Sequence, residues 1–138
     1  MARILVVDDE DAIRNLFKEF LEERGHEVTM ANCAEEALEK IQEGQEIILL
    51  DINMPGMSGL DVLKRIKEIA PSTEVIMITA LAYNDIGLEC WKRGAFEFLA
   101  KPIDLKHLEE LIDFKLLQMS LEGASQKKDI IRSDCPVK

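Results

Sequence analysis

Positive charge is scarce in this chain. Its 138 residues carry 17 Lys and Arg against 27 Asp and Glu, a formal net charge of −10. That deficit argues against sequence-independent binding to DNA or RNA, which needs a basic footprint, and equally against a polybasic membrane anchor. Long apolar runs are missing too, since none approaches the roughly 20 residues of a membrane span. The opening MARILVVDDE turns acidic after only four consecutive apolar residues, unlike a signal peptide. Cysteine is sparse: Cys33, Cys90 and Cys135 are an odd, widely separated set that suggests neither a disulfide framework nor a metal clip. Reduced thiols in the cytosol are the expectation. There are no internal repeats and no low-complexity segment.

What remains is an ordinary globular composition, 47% hydrophobic, in a length suited to one domain with a single core. Short apolar runs alternate with helical patterns. Ile4-Leu5-Val6-Val7 reads as a buried strand that stops at Asp8 and Asp9. Ala12 to Glu23 sets Ile13, Leu16, Phe17, Phe20 and Leu21 at helical spacing and is closed by Gly25. His26 to Met30 is a short strand, and Ala34 to Gln42 a helix with Ala37, Leu38 and Ile41 inward. Ile47-Ile48-Leu49-Leu50 runs straight into Asp51, followed by a Pro- and Gly-rich loop from Asn53 to Gly59. A helix over Leu60 to Ile69 precedes the strand Val75-Ile76-Met77-Ile78, which ends at Thr79. A fourth helix, Asn84 to Arg93, leads to a fifth strand, Phe96 to Leu99, which ends at Lys101-Pro102. The last helix is expected from Asp104, a good N-cap, to Glu122 before Gly123. Five strands alternating with five helices predict an open α/β fold with a mostly parallel sheet.

In such a sheet, ligands bind outside the carboxyl ends of the strands. Here those ends carry Asp8-Asp9, Asp51, Thr79 and Lys101. One acid at a strand end means little, because helix caps often begin there; four functional ends on one edge are hard to produce by chance. Converging carboxylates repel one another unless a cation neutralises them, and oxygen ligands of this kind suit Mg²⁺. Lys101 adds positive charge and Thr79 a hydrogen-bond donor, a set that can hold phosphoryl oxygens. Asp51 is then the candidate nucleophile, a carboxylate that can form an aspartyl-phosphate.

Over about Arg3 to Glu122 the chain resembles the receiver (phosphoacceptor) domain of two-component response regulators. The matching pieces are Ile4-Leu5-Val6-Val7-Asp8-Asp9-Glu10, the stretch from Leu50 to Gly59, Ile78-Thr79-Ala80, and the stretch from Gly94 to Pro102. The resemblance implies a flavodoxin-like five-stranded sheet of order 2-1-3-4-5 with five helices on both faces. It implies that a sensor histidine kinase or phosphotransfer protein phosphorylates Asp51. Asp9, Asp51 and the Asn53 backbone carbonyl would hold Mg²⁺ directly, with Asp8 helping through water, while Thr79 and Lys101 contact the phosphoryl group. It also implies a cis Lys101-Pro102 peptide and a switch role for Thr79 and Phe98, remodelling the face made by helix 4, strand 5 and helix 5. The chain is then a switch that catalyses its own phosphorylation and dephosphorylation, without conventional turnover.

Two other classes share this architecture. A haloacid-dehalogenase-type phosphatase needs a second acid two residues after its nucleophile, where this chain has Asn53. A flavodoxin cradles phosphate in a Ser/Thr/Gly-rich loop after strand 1, where this chain has Asp8-Asp9-Glu10-Asp11. A binding module that works without phosphorylation is a further reading, against which the complete site speaks.

The outer surface carries weaker signals. Leu88 and Trp91 fall on the outward side of the fourth predicted helix. In the last helix Leu105, Leu108, Ile112, Leu116 and Met119 share one face, with Phe114, Leu117 and Leu121 nearly opposite. Together with Phe98 these outward residues form the expected surface for a homodimer, a downstream target or an output domain. Met54 and Met57 are expected to cover the site. The expected organisation is a receiver domain over residues 1–122 and a flexible tail over 123–138, either as a stand-alone regulator or as one piece of a longer chain.

Overall fold

A strand with apolar side chains on both sides is stable only where both faces are covered. The runs Ile4–Val7, Ile47–Leu50 and Val75–Ile78 meet that condition, because every residue in them is buried. Fully burying each such side chain is worth about 1.5–3 kcal/mol. The computed structural model describes residues 2–79, 92 and 94–129. Leu88, Cys90 and Trp91 of the fourth predicted helix, and the tail over 130–138 with Cys135, lie outside the described residues.

The chain forms two compact units, Met1–Ile103 and Asp104–Lys138. In the first, five strands form one sheet: β1 (Arg3–Val7), β2 (Glu27–Ala31), β3 (Ile47–Asp51), β4 (Glu74–Thr79) and β5 (Glu97–Ala100). Their order is β2-β1-β3-β4-β5, the order that the resemblance implies. Every neighbouring pair is parallel, with Leu5 opposite Thr29 and Ile48, and Met77 opposite Leu50 and Phe98. Among the described residues of this unit the helices are α1 (Asp11–Glu22), α2 (Ala34–Ile41) and α3 (Gly59–Ile69).

Alternation along the strands sends Leu5, Val7, Ile48, Leu50, Val75 and Met77 to one face, where they pack with Ala37 and Ile41 of α2 and with Val62, Leu63 and Ile66 of α3. Ile4, Val6, Ile47, Leu49, Ile76 and Ile78 are buried on the other face. α1 buries Phe17 and Leu21 but leaves Leu16 46% exposed, although Leu16 belongs to the same apolar helical pattern. Of the two loop methionines, Met54 belongs to the buried core and Met57 is exposed.

Asp104 caps the second unit's helix, Leu105–Asp129, as its sequence predicts: its Oδ1 accepts the N–H groups of Lys106 (3.0 Å) and His107 (3.4 Å). Leu108, Ile112 and Lys115 are buried at helical spacing. The expected helix end at Glu122 is corrected, since the helix continues through Gly123 to Asp129. An interior glycine costs a helix only about 1 kcal/mol, and Ala124, Gln126, Lys127 and Lys128 are good helix formers with no proline among them.

Candidate functional site

Each functional side chain sits where a strand stops. Asp8 follows β1 and is held there by its own backbone, whose N–H donates to the Ala31 carbonyl at 3.2 Å. Its Oδ1 accepts the Glu10 N–H at 2.9 Å, which folds the loop back on itself. Arg14, one turn into α1, clamps the same loop from its other side. Its Nη1 donates to the Asp8 carbonyl at 2.6 Å, while its Nη2 pairs with the Asp11 carboxylate.

Asp51 ends β3. Its Oδ1 accepts the Asn53 N–H at 3.1 Å, and the next residue continues the sheet, with the Ile52 N–H donating to Ile78 at 2.9 Å. Gly59 then brings the first turn of α3 against this strand end and donates its N–H to the Ile52 carbonyl at 2.9 Å. A Cβ at Gly59 would lie 2.3 Å from the Asp51 carbonyl oxygen and 2.6 Å from the Ile52 Cα, so this approach is open only to glycine. Ser58 caps the helix by accepting the Leu60 N–H at 3.1 Å.

Thr79 ends β4 fully buried, and its hydroxyl oxygen accepts from the Asn53 side-chain amide at 3.3 Å. Beyond β5 the Lys101 N–H donates to the Thr79 carbonyl at 2.7 Å. The Lys101-Pro102 peptide is cis, as the resemblance implies. From there the ammonium reaches Asp8 Oδ2 at 3.2 Å, Asp51 Oδ2 at 3.6 Å and Glu10 Oε1 at 3.6 Å.

Carboxylate oxygens of Asp8, Asp9 and Asp51 all lie within 4.8 Å of one another. Three carboxylates thus face one ammonium, and the imbalance is visible in protonation. Burial and the neighbouring Asp8 charge push the Asp51 pKa up to about 6, with Asp9 adding to them, against the opposing pull of Lys101 and the Asn53 N–H. For Lys101, burial works against the charge, but the Asp51, Asp8 and Glu10 carboxylates outweigh it and hold the ammonium pKa above its ordinary value. A cluster of hard oxygen donors still short of positive charge fits Mg²⁺, with Asp8, Asp9 and Asp51 as the groups that would hold it.

Asp8, Asp9, Asp51, Asn53, Thr79 and Lys101 are therefore brought to one edge as the sequence predicts. Phe98 lies on β5 opposite Met77, half-buried and packed against the core. Phe114, Leu117 and Leu121 belong to the second unit and are 57%, 59% and 60% exposed. Leu88 and Trp91 are outside the described residues. Two residues of the site were missed by the sequence reading, Glu10 and Arg14. Both are long side chains that reach it from the loop and from α1, and the only signal available was their place just after a functional pair of acids.

An open parallel sheet with a cation-demanding acidic cluster and a lysine at its carboxyl edge defines a protein built to manage phosphoryl charge. The family model of the response regulator receiver domain matches residues 4–113. The DNA-binding transcriptional regulator NtrC of Azospirillum brasilense is 38% identical over 113 residues, which cover 81% of this chain and 24% of that protein. A CheY-like receiver domain protein from Methanospirillum hungatei JF-1 superposes with a TM-score of 0.85 at 35% identity, covering 89% of this chain and 99% of that one. The response regulator TrrA of Thermotoga maritima, solved in complex with Mg(2+)-BeF, gives 0.74 at 40% identity, covering 82% and 97%. This chain belongs to the response regulator receiver family, the phosphorylation-controlled switch domains of two-component systems. It spans about a quarter to a third of the length of curated relatives such as these. No helix among the described residues is long and apolar enough to cross a membrane.

Proposed function

We propose that Asp51 is the phosphoacceptor and that the reaction depends on Mg²⁺ held by Asp8, Asp9 and Asp51, with the Asn53 carbonyl. The observation that carries this reading is the placement of the Lys101 ammonium within 3.6 Å of Asp51 and 3.2 Å of Asp8, beside three converging carboxylates. An Asp51 oxygen attacks the donor phosphorus while the bond to the leaving group breaks. Lys101 holds one phosphoryl oxygen, and the Thr79 hydroxyl turns from its Asn53 contact to donate to another. Mg²⁺ held by these residues would supply neutralisation of the charge on the phosphoryl oxygens.

The donor is a histidine kinase or phosphotransfer protein. Supporting this is an apolar groove of about 400 Å³ beside the site, lined by Ile13, Leu16, Phe17, Pro102 and Ile103 and reaching Lys101 itself. Phosphorylation is read by Thr79 and Phe98, and Leu88, Trp91, Phe98, Phe114, Leu117 and Leu121 are the candidate contact residues for a downstream protein, an output domain or a second copy of the chain. The exposure of Phe114, Leu117 and Leu121 supports this role. The domain extends over residues 1–122, works in the cytoplasm, and with its excess of acid contacts neither nucleic acid nor membrane directly.

Intact mass after incubation with acetyl phosphate tests the reading. The expected result is a gain of one phosphoryl group that requires Mg²⁺ and is lost in Asp51→Ala. A gain that persists in the variant would overturn it.

A further inference from the structure

Glu10 is a charged group in contact with the Lys101 ammonium that neither ends a strand nor belongs to the carboxylate cluster. Its side chain is 63% exposed, yet its Oε1 lies 3.6 Å from the Lys101 ammonium. Its backbone is anchored at the site, because its N–H donates to Asp8 Oδ1 at 2.9 Å. Lys101 is thus shared by two buried carboxylates from beneath and one exposed carboxylate from the solvent side.

We infer that Glu10 sets the site's preference among phosphodonors by charge, disfavouring dianionic acyl phosphates relative to donors whose phosphoryl group is bonded to a cationic nitrogen. The inference rests on Asp51 being the acceptor. A donor must bring its phosphoryl oxygens to Lys101, which places them beside the Glu10 carboxylate. Acetyl phosphate arrives as a dianion. Phosphoramidate at neutral pH arrives as a zwitterionic monoanion, with an ammonium on phosphorus much as a phosphohistidine carries an imidazolium.

The chemistry of the two transfers differs only in the leaving group. In both, an Asp51 oxygen forms the new P–O bond with its own electron pair. With acetyl phosphate the P–O bond to the acetyl group breaks and acetate leaves as its anion. With phosphoramidate the P–N bond breaks, its electron pair goes to nitrogen, and ammonia leaves with the protons it already carried. No further proton donor or cofactor is needed in either case. The Glu10 charge therefore acts on the approach and binding of the donor, more strongly on the dianion, and not on proton transfer.

The test compares wild type, Glu10→Gln and Glu10→Asp, each at saturating Mg²⁺ and low ionic strength, with phosphorylation followed by intact mass for both donors. Because Glu10 is exposed, the variants are expected to fold, which thermal unfolding checks. In Glu10→Gln the rate with acetyl phosphate should rise about three- to tenfold relative to that with phosphoramidate, as removal of one nearby charge predicts. Glu10→Asp should keep the wild-type ratio more nearly. The difference should shrink at about 0.5 M salt, where the screening length falls well below 10 Å. An unchanged ratio in Glu10→Gln, whether both rates move together or neither moves, would overturn the inference while leaving Asp51 as acceptor intact. If neither donor phosphorylates the wild-type protein, the acceptor reading fails and this inference fails with it.

Discussion

The two edges of the sheet solve the problem of buried polarity in opposite ways. At the amino edge, polar groups are neutral or paired with a partner of opposite sense. The Thr73 hydroxyl donates to the Gln45 carbonyl at 2.8 Å, and Lys67 donates to the carbonyls of Thr73 and Pro71 at 2.9 and 3.1 Å. The Arg3 N–H meets the Glu46 carboxylate at 2.8 Å, and the Ala2 N–H meets His26 Nδ1 at 3.1 Å. The Oε1 of Gln45 is the one buried side-chain oxygen or nitrogen without a hydrogen-bond partner among the described residues, and it carries no charge. At the carboxyl edge, Asp8, Asp9 and Asp51 crowd together with a single ammonium among them. Satisfied neutral polarity closes a fold, whereas like charges held together at a partly buried edge oppose folding and mark a site that expects a cation.

The contrast is open to attack by mutation. Lys101→Met should have the largest effect, lowering the rate of phosphorylation by about 100-fold or more, because it removes the ammonium that faces the Asp8 and Asp51 carboxylates. Rates from intact mass with acetyl phosphate would reveal this, and a change under about tenfold would mean that Lys101 is structural.

Gly59→Ala strikes the geometry of the same edge. Its new Cβ would fall within 2.3 Å of the Asp51 backbone, so α3 must withdraw. A loss of about 1–3 kcal/mol in urea unfolding is expected, together with weaker Mg²⁺ binding. Stability and Mg²⁺ affinity should fall together; a stability loss alone would separate packing from the site.

Asp51→Asn should do the reverse and stabilise the metal-free protein. The folded-state pKa of Asp51 is raised from 3.8 to about 6, so ionisation opposes folding. The protonated carboxyl's contribution is complete below about pH 4 and is lost as pH rises through about 6. In EDTA the variant should therefore exceed wild type by about 1–3 kcal/mol near pH 7.5, and the gap should close near pH 4. A gap independent of pH would assign the effect to something other than charge. Adding Mg²⁺ should raise the wild-type melting temperature and narrow the gap.

Thr73→Val, at the opposite edge, should give the smallest change. It removes one neutral hydrogen bond, for a loss of about 1 kcal/mol that does not vary with pH or Mg²⁺. Phosphorylation should proceed at the wild-type rate.

The sequence already showed much of this contrast, and for a physical reason. A strand covered on both faces must be apolar throughout, so the first polar residue after Val7, Leu50, Ile78 or Ala100 stands out as the point where the chain leaves the core. Ser58 and Asp104 were readable as caps because short oxygen side chains act locally. Arg14 and Glu10 were not readable, because their heads reach groups whose proximity depends on how the loop after β1 folds. Leu16 shows the limit of periodicity: its spacing fits the buried face of α1, but it stands exposed at the groove beside Lys101. The helix end at Gly123 was misjudged because a single glycine is a weak stop when good helix formers follow it.

The most direct test of the central claim locates the phosphoryl group itself. Wild-type protein treated with acetyl phosphate and Mg²⁺ would be reduced with borohydride, which converts an acyl phosphate to an alcohol, then digested and sequenced by mass spectrometry. The account predicts homoserine at position 51, with Asp8 and Asp9 unmodified. Homoserine at Asp8 or Asp9, or its absence from protein that has gained the phosphoryl mass, would contradict it.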